Sequence, residues 1–287
     1  MIDLDKVKEN RTTKELLEFG IINLDKPCGP TSSEVVNKVK EKLKLSKAGH
    51  FGTLDPAVSG VLPISLNRAC KIMDYFLKKN KEYVGVMQVH SEIEEDKLKE
   101  EVNKFIGKIM QLPPVRSHVK REEREREVYS FEILEINGKE VLFKVGCEAG
   151  TYIRKLIHDL GLKIGGAHMT ELRRIKAGIF SEEGKEFVNL YELEKAAKEY
   201  LNGKDKNLRK IIIPGEVIGN ILPQVYVKEE AILSLLKGKP IFHTDLAKKE
   251  RFEEGEKVAI FFENRFIEVA NVVKNDKIFA KPEFVLN

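Results

Sequence analysis

The segment KAGHFGTLDPAVSG, Lys47 to Gly60, places one carboxylate, Asp55, in a loop rich in glycine and proline, with His50 five residues before it. Gly49, Gly52 and Gly60 allow backbone geometry that a side chain would block. Pro56 fixes its own φ and biases Asp55 towards an extended conformation. A carboxylate held this way can act as a covalent nucleophile or as a base, and rigidly placed loop residues often carry function. Spacing alone leaves a plain Asp-Pro turn equally open.

The flanking pattern supplies the elements that would hold this loop. GIINLDKP, from Gly20, reads as a buried strand. Thr31 and Glu34 form a capping-box pattern ahead of Val35, Val36, Val39 and Leu43, which predicts a helix to about Leu43. VLPISL reads as a strand and RACKIMDYFL as a helix. KEYVGVMQVH alternates as a strand from near Tyr83. Leu98, Val102, Phe105 and Ile109 predict a second helix, closed by QLPPV because paired prolines cannot continue it. VYSFEILEI and EVLFKVGC, joined through Asn137-Gly138, predict a hairpin. TYIRKLIHDLGLKIG predicts a helix capped by Thr151, HMTELRRIKAGIF a strand, and LYELEKAAKEYL another helix.

Hairpins interspersed with helices predict an α+β domain around a mixed, mainly antiparallel sheet. After the turn-rich IIIPGEVIGNILP, one helix-like segment and several short strands predict a small β-barrel-like module. The expected division is 1–214 and 215–287. The chain has 287 residues, 42% hydrophobic and 33% charged, with 50 Lys+Arg against 46 Asp+Glu. A net charge of +4 is too small to establish nucleic-acid binding, which needs clustered charge. Cys28, Cys70 and Cys147 are widely spaced and odd in number, which argues against zinc pairs or a disulfide framework and for a reducing, cytoplasmic setting. No apolar run approaches the ~20 residues of a membrane span, and the histidines lack metal-ligand spacing, so neither a membrane nor a metal site is expected.

Four segments stand in order: NLDKPCGPTSSEVV, GHFGTLDPAVSGVLPI, KEYVGVMQVH, and CEAGTYIRKL running on to AHMTELRRIKAG. Together they closely resemble RNA pseudouridine synthases of the TruB superfamily, and within them the archaeal and eukaryotic dyskerin-like branch, the catalytic subunit of box H/ACA guide-RNA particles. GTLDP together with GTYIR is the specific part, and the likeness runs from about Arg11 to Asn287. The run containing Gln111, Pro113, Pro114, Val119, Lys120, Arg121, Arg126 and Tyr129 resembles the guide-dependent branch, departing from it at His118, Glu122 and Glu123.

The resemblance implies a pseudouridine synthase fold with a C-terminal PUA domain, on which residues 1–20 would pack. It implies isomerisation of uridine in rRNA, and in tRNA as a further substrate, with no cofactor or metal. Asp55 would be the nucleophilic acid, attacking sugar or ring or abstracting a sugar proton. Arg154 would be its cationic partner; otherwise it is an exposed charge in a helix's first turn, where the dipole disfavours it. Tyr83 would face the target base, against the alternative of a core aromatic. His50 would lie near the extruded nucleotide, or be a hydrogen-bonded loop histidine. Leu172 would line the base pocket, or be plain core. Lys26 would support the active-site loops, and Arg173, Arg174 and Lys176 would meet RNA phosphates. The implied partners are a guide RNA, a substrate RNA and three small H/ACA accessory proteins. A protein-only tRNA T-loop synthase and a non-catalytic scaffold for structured RNA are the competing readings.

Overall fold

The computed structural model describes residues 2–113 and 120–287; Pro114, His118 and Val119 of the guide-dependent-type run lie outside them. The chain opens with α1 (Leu4–Asn10) and α2 (Thr13–Glu18), followed by β1 (Gly20–Lys26) and α3 (Ser32–Lys42). Thr31 caps α3 as its pattern predicts, its hydroxyl accepting from Glu34 N–H while the Glu34 carboxylate accepts from Thr31 N–H. β2 (Ala48–His50) and β3 (Val58–Leu66) then flank the Asp55 loop.

The predicted helix after β3 is broken into a 3-10 turn, Asn67–Lys71, and a short α4 (Met73–Leu77). Its buried residues are Ala69, Ile72 and Phe76. The first step is three residues, which only the tighter helix places on one line, and the second is four. β4 (Lys81–Val89) alternates between buried and part-buried positions along its whole length. α5 (Glu95–Asn103) ends earlier than predicted, because Gly107 turns the chain with φ 100° and starts β5 (Gly107–Gln111). Ile109 is therefore a strand residue.

The Asn137-Gly138 hairpin joins β6 (Arg124–Asn137) to β7 (Glu140–Cys147), with Gly138 at φ 60°. In α6 (Ile153–Gly161) the cap residue is Tyr152 and not Thr151, whose hydroxyl donates back to Glu148 O. β8 (Ala167–Ala177), β9 (Phe180–Ser181), β10 (Phe187–Asn189), α7 (Leu190–Leu201), α8 (Lys206–Ile211) and β11 (Ile212–Pro214) complete the larger unit.

These strands form one sheet in the order β10-β1-β3-β8-β4-β7-β6-β5, with β11, β2 and β9 attached beside it. Among the described residues of this sheet only β1–β10 and β3–β8 pair in parallel; its other ladders are antiparallel. A second, five-stranded sheet holds β12 (Gln224–Tyr226), β13 (Ile241–Phe242), β14 (Lys257–Phe262), β15 (Arg265–Val272) and β16 (Ile278–Val285).

One apolar cluster fills the space between the large sheet and α3, α6 and α7. A second joins the two units, since Ile2, Val7 and Phe19 share it with Val217, Ile218, Phe261 and Phe266. Phe19 stacks on Phe266 with ring centroids 5.3 Å apart, and Arg11 pairs with the buried carboxylate of Glu216. The C-terminal end returns to the large unit, where Arg68 donates to Val285 O at 2.9 Å and Tyr75 to Glu283 at 2.9 Å.

Glu268 on β15 is buried, and neither carboxyl oxygen has a hydrogen-bond partner among the described residues. Burial pushes its carboxyl up to about 8. The folded chain therefore holds a proton that the unfolded chain releases near pH 4.5, and stability is lost as pH rises from there through about 8. Glu268→Leu is expected to raise unfolding free energy by on the order of 3 kcal/mol at pH 7. That gain should shrink towards pH 4.5; urea unfolding at the two pH values measures it, and an equal gain at both would refute the ionisation account.

Candidate active site

The two glycine-rich sequence segments fold as one unit. Lys26, at the end of β1, is fully buried, and its ammonium donates to the carbonyls of Pro27 at 2.8 Å, Pro56 at 3.3 Å and Val58 at 2.8 Å. Desolvation holds its pKa below the usual lysine value, with Cys28 and Asp55 opposing that shift. Gly29 N–H donates to Pro56 O at 2.9 Å. Ser32, in the first turn of α3, accepts from Leu54 N–H at 2.8 Å and donates to Leu54 O at 2.9 Å. The stretch either side of Asp55 is thus fixed from below by β1 and α3, which gives the loop its rigidity. A Cβ on Gly60, at φ 101°, would come within 2.2 Å of Arg174 O, so that position requires glycine.

Arg154 reaches the same loop from the other side. Ile153, Leu156, Ile157 and Leu160 are all buried on one face of α6, each contributing about 1.5–3 kcal/mol of burial. The helix start is fixed by Gln111, a buried residue of β5 that accepts from Tyr152 N–H at 2.9 Å and donates to Tyr152 O at 3.2 Å. This sets Arg154 Nη2 3.2 Å from Asp55 Oδ2, with side chains 59% and 58% exposed. The two residues, distant in sequence, form an ion pair open to solvent. Gln111 and Ser32 escaped sequence reasoning as positioning residues, because a glutamine or serine that ties backbone has no pattern of its own.

Tyr83 is 9% exposed and packs in the main core, so most of its ring is a core aromatic. It stands opposite Arg174 across the β4–β8 ladder. Burial raises its hydroxyl's pKa, with the adjacent Arg174 guanidinium opposing, so the phenol stays protonated. His50 is half-buried and its Nδ1 has no partner among the described residues. Burial first, then Arg174, lowers its pKa, which favours the neutral ring. Leu172 is buried beside Val58 and Gly85 in the ladders.

The three cations expected to meet phosphates divide differently. Arg174 is 1% exposed and donates to Val61 O at 2.8 Å and Gly52 O at 3.0 Å, which removes it from any phosphate. Arg173 is held by Asp25 at 3.0 and 3.1 Å and by Glu182 at 2.8 Å, so its charge is already balanced. Lys176 pairs with Glu82 at 3.1 Å but keeps about half its surface in water. Lys26, likewise, is a buried clamp with no surface for RNA. His90, just past the end of β4, and His168 on β8, separated in sequence, meet at 2.9 Å. Among the described residues no cluster of three or more His, Cys, Asp or Glu side chains could hold a metal ion, and no helix is long and apolar enough to cross a membrane.

Family comparisons match the N-terminal domain of TruB family pseudouridylate synthases over residues 40–97 and 87–153. The C-terminal domain of tRNA pseudouridylate synthase B matches 154–218 and a DKCLD domain matches 2–36. The chain belongs to the TruB family of pseudouridine synthases. It is an RNA pseudouridine synthase, an isomerase.

This TruB-family enzyme is 46% identical over 256 residues to a probable tRNA pseudouridine synthase B of Methanopyrus kandleri, covering 88% of this chain and 75% of that protein. It is 47% identical over 255 residues to the protein of the same name in Thermococcus onnurineus, covering 88% and 76%. Among solved structures, a chain of a Cbf5–Nop10–Gar1 complex superposes with a TM-score of 0.88 at 41% identity, covering 97% of this chain and 88% of that one. A chain of an H/ACA RNP bound to a substrate RNA containing 2′-deoxyuridine gives 0.88 at 39%, covering 98% and 89%. The fold is thus the pseudouridine synthase fold with a PUA domain, on a mainly antiparallel sheet as the sequence predicts.

Proposed function

We propose that this enzyme is the catalytic subunit of a guide-RNA-directed particle that isomerises uridine in rRNA, with Asp55 as its reacting carboxylate. The observation that carries the chemistry is the 3.2 Å approach of Arg154 to Asp55 on a loop fixed by Lys26, Ser32 and Arg174. In the reaction the N1–C1′ bond breaks with its electron pair going to the pyrimidine. C5 then bonds to C1′ and loses its proton while N1 gains one, so nothing net is added or removed. Asp55 attacks sugar or ring, or takes a sugar proton, and the three routes share the need for an ionised carboxylate. Arg154 supplies the opposing charge once RNA excludes water from the pair. The protonated Tyr83 hydroxyl offers a donor to the base, the neutral His50 contacts the extruded nucleotide, and Leu172 backs the base. Lys176 contacts the RNA backbone.

Guide dependence is supported by the likeness to chains solved within H/ACA assemblies. The reading extends to a guide RNA and three small accessory proteins as partners, to residues 1–214 as the catalytic domain with residues 1–20 packed on the PUA domain, 215–287, and to a cytoplasmic setting; the complex with Nop10 and Gar1 supports the small-protein part of it. A second reading, a stand-alone tRNA synthase, is favoured by the names of the curated relatives.

One assay separates the two. The chain is incubated with tRNA alone, and in parallel with an rRNA fragment, guide RNA and accessory proteins. Pseudouridine is expected in the rRNA fragment only when guide is present. Efficient modification of tRNA by the chain alone, with none in the guided reaction, would replace the first reading with the second.

A further inference from the structure

Beneath the Asp55 loop lie two buried cations that no step above uses as charges. Lys81 is 5% exposed and Arg174 1%. Both side chains pass beside Gly52: a Cβ there would lie 3.6 Å from Arg174 Nη1 and 3.9 Å from Lys81 Cε. Among the described residues neither is matched with an acid. Lys81 donates to the carbonyls of Leu77, at 3.3 Å, and Lys79, and Arg174 to those of Val61 and Gly52. Buried charges normally come paired, because isolated ones are expensive to desolvate. Two like charges side by side, satisfied by backbone carbonyls and, for Arg174, the neutral Tyr83 hydroxyl, are costly to stability and so point to a use elsewhere.

We propose that Lys81, beside Arg174, is a positioning residue whose charge holds a positive potential under the uracil during turnover. The inference rests on the Asp55 reading. Each route open to Asp55 puts the electron pair of the broken bond, or of an added nucleophile, on the pyrimidine ring. A fixed positive potential under that ring favours the transition state over the neutral bound uridine. Arg174 transmits the arrangement to the reacting groups through Gly52 and the Tyr83 hydroxyl.

The groups facing Lys81 are Arg174 on β8 and Cys147 on β7, with the carbonyls that follow α4. Desolvation first, then Arg174, brings the Lys81 pKa down to about 8. The Cys147 thiol is pushed up to about 12 by burial and supplies no anion. Lys81 is therefore mainly charged below about pH 8 and mainly neutral above it.

The test is single-turnover kinetics with saturating RNA from pH 6.5 to 9 on the native chain, Lys81→Met and Lys81→Arg, in whichever assembly is active. The native rate is expected to fall across about pH 8. Lys81→Met should be slower by about tenfold at pH 7 and lack that fall, with an unchanged or higher melting temperature because a buried charge is gone. Lys81→Arg should restore the rate and hold it to higher pH. Coincident pH profiles in the native chain and either folded variant would overturn the inference, since titration of the uridine itself would act on them all alike. Asp55→Asn is run alongside. Activity there would remove the Asp55 reading, whereas coincident Lys81 profiles with an inactive Asp55→Asn would remove only this one.

Discussion

Asp55→Asn is expected to lower the rate of pseudouridine formation by at least about 10⁴-fold while leaving RNA affinity within about twofold. The amide has nearly the shape of the carboxylate but cannot act as an anionic nucleophile or as a base. The loop does not depend on the side chain. It is held by Lys26 on the Pro56 and Val58 carbonyls, by Ser32 on Leu54, and by the Asp55 carbonyl itself, which accepts from Val58 N–H at 3.0 Å. The Asp55 side chain is more than half exposed, so its replacement leaves no hole in the core. Chemical detection of pseudouridine by primer extension, with filter binding for affinity, measures both quantities. A variant that folds, binds and still modifies RNA at near-native rate would transfer the chemistry to another group.

The physical grounds on which each feature could be read from sequence differ. The α3 cap, the alternation of β4 and the Asn137-Gly138 hairpin are local: neighbouring residues carry the whole signal, and the structure reproduces it. The end of α5 differs from its pattern because Phe105 and Ile109 keep helical spacing beyond its last residue, Asn103, while the left-handed φ of Gly107 sets the chain off as β5. Asp55 was legible from the Gly/Pro loop around it, and its pairing with Arg154 from family resemblance. The fate of Arg173, Arg174 and Lys26 was not legible, since a basic residue on a strand can face water or core. Which it does is set by register: Arg174 lies opposite Tyr83 and Gly60 and is swallowed between them, while Arg173 emerges beside Asp25. Lys81, the first residue of β4, was invisible for the same reason.

Arg154→Met is expected to slow turnover by about 10²–10³-fold, with little change in the stability of the chain without RNA. The two halves of this expectation follow from one exposure figure. With both side chains nearly 60% in water, the ion pair is screened and contributes less than about 1 kcal/mol to folding. α6 stays in place because its anchors are the buried leucines and isoleucines and the Gln111 bonds to Tyr152, none of which involve the guanidinium. When RNA closes over the site the surrounding dielectric falls and the same 3.2 Å contact becomes several-fold stronger. Losing it then raises the cost of an ionised Asp55 at the moment it must react. Arg154→Lys keeps the charge but not the planar fork, and should recover part of the rate. Thermal melting of the three proteins, with single-turnover rates on saturating RNA, checks both halves. A melting temperature that drops in step with activity would mean that Arg154 is a structural strut, and would break the link between this pair and the chemistry.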